Sequence, residues 1–148
     1  VELCYKNAWR SEKKMDEVII DTSVVIKWFV QEENSDKALK IFEKIKKNSL
    51  KIVLPQIIKL ELINALLLGN NYTQEGAIKA LSDVNDLRPE WVIFDSLLAR
   101  QVIKIVSEHK IAAYDALFLA LAEDRQISLI TADQKHHQKK FSKFIKYL

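Results

Sequence analysis

The sequence predicts a three-layer α/β/α domain whose central parallel sheet has four or five strands. Short apolar runs rich in β-branched residues alternate with longer segments of helical periodicity along most of the chain. The short runs are apolar at nearly every position, which is typical of strands that helices cover on both faces. The chain also has only two glycines and two prolines, too few for a loop-rich β sandwich.

The strands are predicted from β-branched runs that turn residues or acids bring to an end. The first run ends in an acid, and Pro55 ends the second. The predicted strands cover residues 17–21, 51–55, 91–94 and 128–133, with a last short strand at 144–148.

The helices are predicted from apolar residues spaced by three and four positions and from polar residues that can cap their first turns. The candidate capping residues are Asn34 or Ser35, Thr73, and Asp95 or Ser96. The predicted helices are a short one from residue 22, then about 36–48, 56–68, 74–86, 96–109 and 112–124. Right-handed crossovers then place the carboxyl ends of the strands along one edge, where such sheets bind ligands.

Composition limits the class of protein further. The chain has 148 residues, 49% of them hydrophobic and 29% charged, which fits one globular domain and excludes a mostly disordered chain. Cys4 is the single cysteine, so nothing indicates an oxidising compartment, and we expect a cytoplasmic location. The apolar runs are short and carry charges, so we expect no membrane association. We expect residues 1–14 to be a disordered or loosely attached extension of a domain over residues 15–148.

Four acidic residues stand in unusual sequence contexts. Asp21 and Asp133 each end a predicted strand, whereas Glu61 and Asp115 lie within helices that are apolar nearly all round and should be largely buried. A strand-end Asp can simply cap the next helix. A buried helical carboxylate can instead form a salt bridge, with Lys27, Lys59 or Arg100 as the candidate partner.

If the four carboxylates converge, they repel one another and must hold a proton or a cation. Oxygen ligands suit Mg²⁺ or Mn²⁺, ions that often serve phosphoryl chemistry. The histidines form no zinc pattern, and we interpret all three as surface residues: His109, His136 and His137.

Taken together, these residues resemble the PIN domain family, most closely the toxin ribonucleases of VapBC toxin–antitoxin pairs. The segments IIDTSVVI, YDALFLALA and LITAD have the order and spacing of that family, over about residues 17–148. Ser23 and Thr131 fall on its small hydroxyl positions. Its acidic quartet falls on Asp21, Glu61, Asp115 and Asp133.

The resemblance implies a Mg²⁺- or Mn²⁺-dependent endoribonuclease that hydrolyses RNA phosphodiester bonds through metal-activated water. It implies that metal is held directly or through water by Asp21, Asp115 and Asp133. It implies that Glu61 binds metal or orients the attacking water, while Ser23 and Thr131 orient carboxylates or waters. It also implies a homodimer and a cognate VapB-like antitoxin.

Two further functions within the same fold remain open at this stage, an RNA-processing nuclease without an antitoxin and a non-catalytic binding or scaffold protein. Other folds with an acid after the first strand fit less well. A phosphatase of the HAD type needs a second Asp where Ser23 stands. A receiver domain needs an acid pair, and Asp16 and Glu17 lie at the wrong end of the strand.

Basic residues near the predicted site are candidates for contacts with RNA phosphates. The last fifteen residues carry five lysines and no acid, although a solvated terminus explains this pattern as well. The candidates are Lys27, Lys135, Lys139 and Lys140.

Overall fold

A computed structural model describes residues 15–148 and has one sheet of five parallel strands flanked by helices. The predicted fold class and strand number are therefore confirmed. The prediction for residues 1–14 lies outside the described residues. The strands are β1 (Asp16–Ile20), β2 (Leu50–Pro55), β3 (Glu90–Val92), β4 (Ser128–Thr131) and β5 (Ile145–Tyr147).

Helices fill the first three connections between the strands, as the sequence predicts. They are α1 (Thr22–Val25), α2 (Ser35–Lys46), α3 (Ile57–Asn64), α4 (Gln74–Asp86), α5 (Ser96–His109) and α6 (Ala113–Arg125). A 3₁₀ turn, Ile26–Trp28, continues α1, and a π-helical turn, Ala65–Gly69, continues α3. Another 3₁₀ turn, Lys139–Phe141, precedes β5. Within residues 15–148, no helix is long and apolar enough to cross a membrane.

Two of the predicted helix caps are confirmed, and the third differs. The Thr73 hydroxyl accepts the Gly76 N–H at 3.0 Å, and Asp95 accepts the Leu98 N–H at 2.9 Å. Asn34 precedes α2 in a left-handed conformation (φ 62°), and its side chain makes no capping bond. Ser35 accepts the Glu32 N–H instead, which fixes the turn leading into the helix.

The order of strands in the sheet, β3-β2-β1-β4-β5, places a topological switch between β1 and β4. The chain first adds strands on one side of β1 and then returns to add β4 and β5 on the other. Right-handed crossovers in opposite directions cover both faces with helices. Ile20 pairs with Ile130, and the Asp21 N–H donates to the Ile130 carbonyl at 3.0 Å. The two strands thus end side by side, where a sheet of this kind binds ligands.

The two apolar helices differ in burial. Every residue of α6 from Ala116 to Ala122 is buried, which confirms the prediction for that helix. The same prediction is wrong for the helix after β2, where Leu60 is 61% exposed and Leu68 is 82% exposed. Only one side of that helix packs on the core, through Ile58 and Leu62. Periodicity could not separate a core face from an uncovered apolar face when both carry leucines.

The third strand is shorter than predicted. Val92 pairs with Pro55, the last residue of β2, so no neighbouring strand remains for the residues that follow. Ile93 and Phe94 accordingly leave the sheet and are 67% and 58% exposed.

A candidate metal centre at the strand carboxyl ends

Asp21 lies at the centre of the switch point, between β1 and α1, and is 6% exposed. Its Oδ2 accepts hydrogen bonds from the Ser23 hydroxyl at 2.7 Å and from the Thr131 hydroxyl at 3.0 Å. Its side chain makes no capping bond to α1, so helix capping does not explain this residue. Burial raises the pKa of Asp21, but His137 and the two hydroxyls outweigh burial and hold the pKa below its ordinary value.

The two hydroxyls are fixed in their orientation by the backbone after β4. Ser23 accepts the Ala132 N–H at 3.0 Å, and Thr131 accepts the Asp133 N–H at 3.0 Å. Because each hydroxyl has a single proton, accepting a backbone N–H leaves that proton free to point at Asp21. The Asp21 carboxylate is thereby oriented from α1 and from β4.

Asp115 lies in the first turn of α6, and its side chain is 21% exposed. This position lessens the cost of a carboxylate in an apolar helix, since the positive end of the helix dipole favours negative charge. Burial still raises the pKa of Asp115 above its ordinary value, and the negative charges of Asp21 and Asp133 contribute in the same direction.

Glu61, on α3, approaches the same site from the β2 side of the sheet. Its Oε1 accepts a 3.0 Å hydrogen bond from the Thr22 hydroxyl, a contact that the sequence did not predict. Burial raises the pKa of Glu61 to about 6, with further contributions from the charges of Asp21 and Asp115. A pKa raised by neighbouring carboxylates indicates that the acids lie close together, and shifted pKa values of this kind are common at functional sites.

Asp133 is the most locally engaged of the four acids. Its Oδ1 accepts the backbone N–H groups of Lys135 and His136 at 3.1 and 3.0 Å, and its Oδ2 lies 2.6 Å from His136 Nδ1. Burial raises its pKa, but the bonds from His136 outweigh burial, so the pKa is below its ordinary value. A capping role therefore describes Asp133 in part, although it caps a turn and not a helix.

The surface interpretation is wrong for His137, which is 0% exposed and lies inside the acidic site. Its Nε2 is 3.6 Å from Asp21 Oδ2 and 3.6 Å from Asp115 Oδ1. The two acids therefore lie at the same distance from one ring nitrogen. Burial lowers the pKa of His137, but the surrounding carboxylates outweigh burial and raise it. The turn after β4 places His137 there, since the Asp133 carbonyl accepts the His137 N–H at 3.1 Å, and no sequence pattern indicated this turn.

Two of the three predicted salt-bridge partners of the buried acids are engaged elsewhere, and Arg100 is paired with none of these acids in the described residues. Lys27 pairs with Glu32 at 3.1 Å, and the Lys59 ammonium lies 4.2 Å from the centre of the Trp91 ring. Within residues 15–148, no lysine or arginine pairs with any member of the acidic quartet. Among these residues, only the imidazoles of His136 and His137 are close enough to offset the negative charge of the quartet.

The lysines that we considered for RNA contacts fall into two groups. Lys27 is committed to its ion pair, and its side chain is only 11% exposed. Lys135, Lys139 and Lys140 are exposed, and the Lys139 ammonium lies 4.9 Å from the centre of the Tyr147 ring. Only the second group presents free positive charge to a ligand.

The donor set fits a divalent ion that takes part of its coordination from the protein. Among residues 15–148, no three His, Cys, Asp or Glu side chains lie close enough together, as they stand, to hold a metal ion by themselves. Mg²⁺ commonly binds through one or two carboxylates and keeps waters or phosphate oxygens as its other ligands. Asp21 and Asp115, each 3.6 Å from a ring nitrogen that has no hydrogen-bond partner, provide such an incomplete site.

Comparisons with known proteins agree with this architecture. A protein-family model described as PIN domain matches residues 18–142. A search among curated protein sequences gives no match.

Solved structures share the fold at low sequence identity. VapBC2 from Rickettsia felis bound to a promoter DNA fragment matches with 15% identity and TM-score 0.64, covering 89% of this chain and 98% of that chain. DNA-bound VapBC from Salmonella typhimurium matches with 17% identity and TM-score 0.60, covering 90% and 98%. VapC20 from Mycobacterium tuberculosis, described as a sarcin-ricin loop cleaving toxin, matches with 12% identity and TM-score 0.66, covering 80% and 92%.

Proposed function

This chain belongs to the PIN domain family, and on that premise we propose that it is a divalent-metal-dependent endoribonuclease, the toxin component of a toxin–antitoxin pair. The observation that carries the proposal is the approach of Asp21 and Asp115 to one point at the switch between β1 and β4, beside Glu61. Carboxylates gathered in this way suit a metal ion that meets phosphate oxygens.

Each acid has a distinct role in the proposal. Asp21 and Asp115 hold Mg²⁺ or Mn²⁺, and Asp133 contributes through water because its own oxygens already bind the turn. A bound ion of this kind neutralises developing charge on phosphate and makes water a better nucleophile. Glu61, with a pKa of about 6, is mostly ionised at neutral pH and can accept a proton from a water molecule beside it. Ser23 and Thr131 keep the Asp21 carboxylate in place.

RNA is the proposed substrate. The exposed lysines after β4 supply phosphate contacts that do not depend on sequence, and Lys135 follows Asp133 in the same turn. One structural neighbour is described as cleaving the sarcin-ricin loop, which supports RNA over DNA. The single cysteine, Cys4, is in keeping with a cytoplasmic location, where such a substrate is present.

The proposed partners are a VapB-like antitoxin and a second copy of this chain. Several structural neighbours are described as toxin–antitoxin complexes. Exposed apolar side chains on and after α3 and β3 suit a protein partner, since large apolar patches on a monomer often mark interaction sites. They are Leu60, Leu68, Ile93, Phe94 and Leu97. Co-expression with the product of a neighbouring small gene, followed by co-purification and mass measurement of the complex, tests both partners.

Cleavage of RNA by the purified protein tests the enzymatic part. We expect cleavage of single-stranded or looped RNA with Mg²⁺ or Mn²⁺, none with a chelator, and 5′-phosphate products. The Asp115→Asn variant is the matched control for a contaminating nuclease. Cleavage by a protein that never binds an antitoxin would favour an RNA-processing nuclease. A folded wild-type protein that binds RNA without cutting it would favour a scaffold.

A further inference from the structure

His137 has a burial and a hydrogen-bonding state that the proposed function does not yet explain. Both ring nitrogens are buried, and neither has a hydrogen-bond partner in the described part of the chain. A buried polar group without a hydrogen-bond partner destabilises the folded protein. A bound water molecule or ion that contacts the ring nitrogens would explain why they lack protein partners.

The ring is held in place by contacts on its other sides. Its backbone N–H is bonded to the Asp133 carbonyl, so the turn that follows β4 delivers it to the switch point. Phe118, a buried residue of α6, packs edge-on against it at 5.9 Å between ring centres. Phe118 offers no polar partner, and in the described part of the chain the charged groups paired with Nε2 are Asp21 and Asp115.

The distances from Nε2 to the acids suit two ligands of one ion better than a hydrogen bond. At 3.6 Å, both separations exceed the usual N–H···O limit of about 3.2 Å. Two ligands of one ion lie about 3.0 Å apart in six-coordination and about 3.4 Å apart in four-coordination, for bonds of about 2.0–2.1 Å. The separations of the nitrogen from Asp21 and from Asp115, both 3.6 Å, are about 0.2 Å longer than the four-coordinate value. To bind one ion together with this nitrogen, both carboxylates need only move slightly closer to it.

We propose that His137 Nε2 is a third protein ligand of the divalent ion, with Asp21 and Asp115, and that this nitrogen makes the site prefer Mn²⁺ over Mg²⁺. Mg²⁺ is a hard ion that prefers oxygen, whereas imidazole nitrogen suits transition metals. Two carboxylates with a neutral imidazole also balance the charge of a divalent ion, which suits a buried site. The inference rests on the metal dependence in the proposed function, but the choice of a nitrogen ligand is separate from it.

Pulsed electron paramagnetic resonance of the wild-type protein with Mn²⁺ alone tests the ligand directly. We expect echo modulation from one directly bound ¹⁴N nucleus, replaced by a ¹⁵N pattern when the protein is labelled with ¹⁵N-histidine. Bound Mn²⁺ without nitrogen modulation overturns the inference but leaves the metal-dependent nuclease standing. If neither Mn²⁺ nor Mg²⁺ binds, the inference and the metal dependence both fail.

Affinity measurements on variants provide the second test, with Mn²⁺ and Mg²⁺ titrated separately by calorimetry. His137→Ala should weaken Mn²⁺ binding by at least about tenfold, since even residues behind a ligand cost 10–100-fold when removed. Mg²⁺ binding should fall less, so the preference for Mn²⁺ shrinks. His137→Gln, which keeps more of the buried volume, should show the same shift in preference.

The matched control is His109→Ala, because His109 packs against Phe141 and, within the described residues, pairs with none of the acids of the site. It should bind both ions as the wild type does. If His137→Ala binds Mn²⁺ equally well or more tightly, the ring competes with the ion and the inference is wrong. If the alanine variant does not fold by circular dichroism, the wild-type resonance spectrum decides alone.

Discussion

The buried hydroxyl of Thr131, the last residue of β4, donates a 3.0 Å hydrogen bond to the carboxylate of Asp21, which follows β1. This bond joins the two strands at the point where the sheet changes direction. It acts on a carboxylate whose pKa is below its ordinary value, so it favours the charged form of Asp21. The position of the acid in the site and the stability of the fold thus depend on the same contact.

Thr131→Val should therefore destabilise the protein by about 1.5–3 kcal/mol at neutral pH, the usual worth of a hydrogen bond to a charged group. Thr131→Ser keeps the hydroxyl and should recover much of the loss. Because the pKa of Asp21 is lowered on folding, its stabilising effect is present at neutral pH and is lost as pH falls through the lowered pKa. The deficit of the valine variant, measured by urea unfolding, should shrink in acid. A deficit that does not change with pH would mean that only packing was lost.

Glu61→Gln should stabilise the metal-free protein. The pKa of Glu61 is raised from 4.5 to about 6, so folding favours its protonated form and the wild type loses stability as pH rises from 4.5 through 6. The variant removes that loss, worth on the order of 1 kcal/mol after allowance for solvent screening. Unfolding curves should show the gain above pH 6 and no gain near pH 4. The control Glu43→Gln, at an exposed position of α2, should show neither.

The sequence was most informative where position in an element determines position in space. Asp21 and Asp133 follow the ends of β1 and β4, and parallel strands end at one edge, so their proximity could be derived from the order of elements. The approach of Glu61 could not, because periodicity places it on a helix but not against Thr22. That placement depended on the resemblance to the PIN family.

His137 shows where residue types alone mislead. His136 and His137 are adjacent and look alike in the sequence, yet the His136 side chain is 51% exposed and that of His137 is 1% exposed. The difference comes from the turn that Asp133 holds together and from the fit of the ring against Phe118. Both depend on tertiary packing, so no local pattern could assign the buried position to one histidine and the exposed position to the other.

Divalent metal should stabilise the wild-type protein, because an ion that binds only the folded state shifts unfolding by mass action. At one hundred times the dissociation constant the gain is about 2.7 kcal/mol, visible as a higher melting temperature. Asp21→Asn should lose most of this response, since it removes a ligand charge at the most buried acid of the site. Equal metal responses in the two proteins, by differential scanning calorimetry, would contradict the assignment of this site.

Asp115→Asn should reduce RNA cleavage by at least about 100-fold, the lower end of what one catalytic group contributes. The amide keeps the size of the side chain but loses the charge that binds metal. Asp133→Asn should reduce cleavage less, because that carboxylate is largely occupied by the turn. Single-turnover kinetics with Mn²⁺, alongside circular dichroism, separate the two variants. A folded Asp115→Asn protein that cuts at the wild-type rate would leave the scaffold alternative standing.

Lys139→Ala should weaken RNA binding and lower its salt dependence, because the lysine presents free charge from an exposed turn beside the site. Each phosphate contact contributes at most about one unit to the slope of log affinity against log salt, so the slope should fall by about one. Lys27→Ala is the matched comparison, since Lys27 already pairs with Glu32 and its loss should change the slope little. Binding is measured in the Asp115→Asn background, where the RNA stays intact. If Lys27 carries the salt dependence and Lys139 does not, RNA enters past the 3₁₀ turn Ile26–Trp28 and not along the lysine-rich terminus.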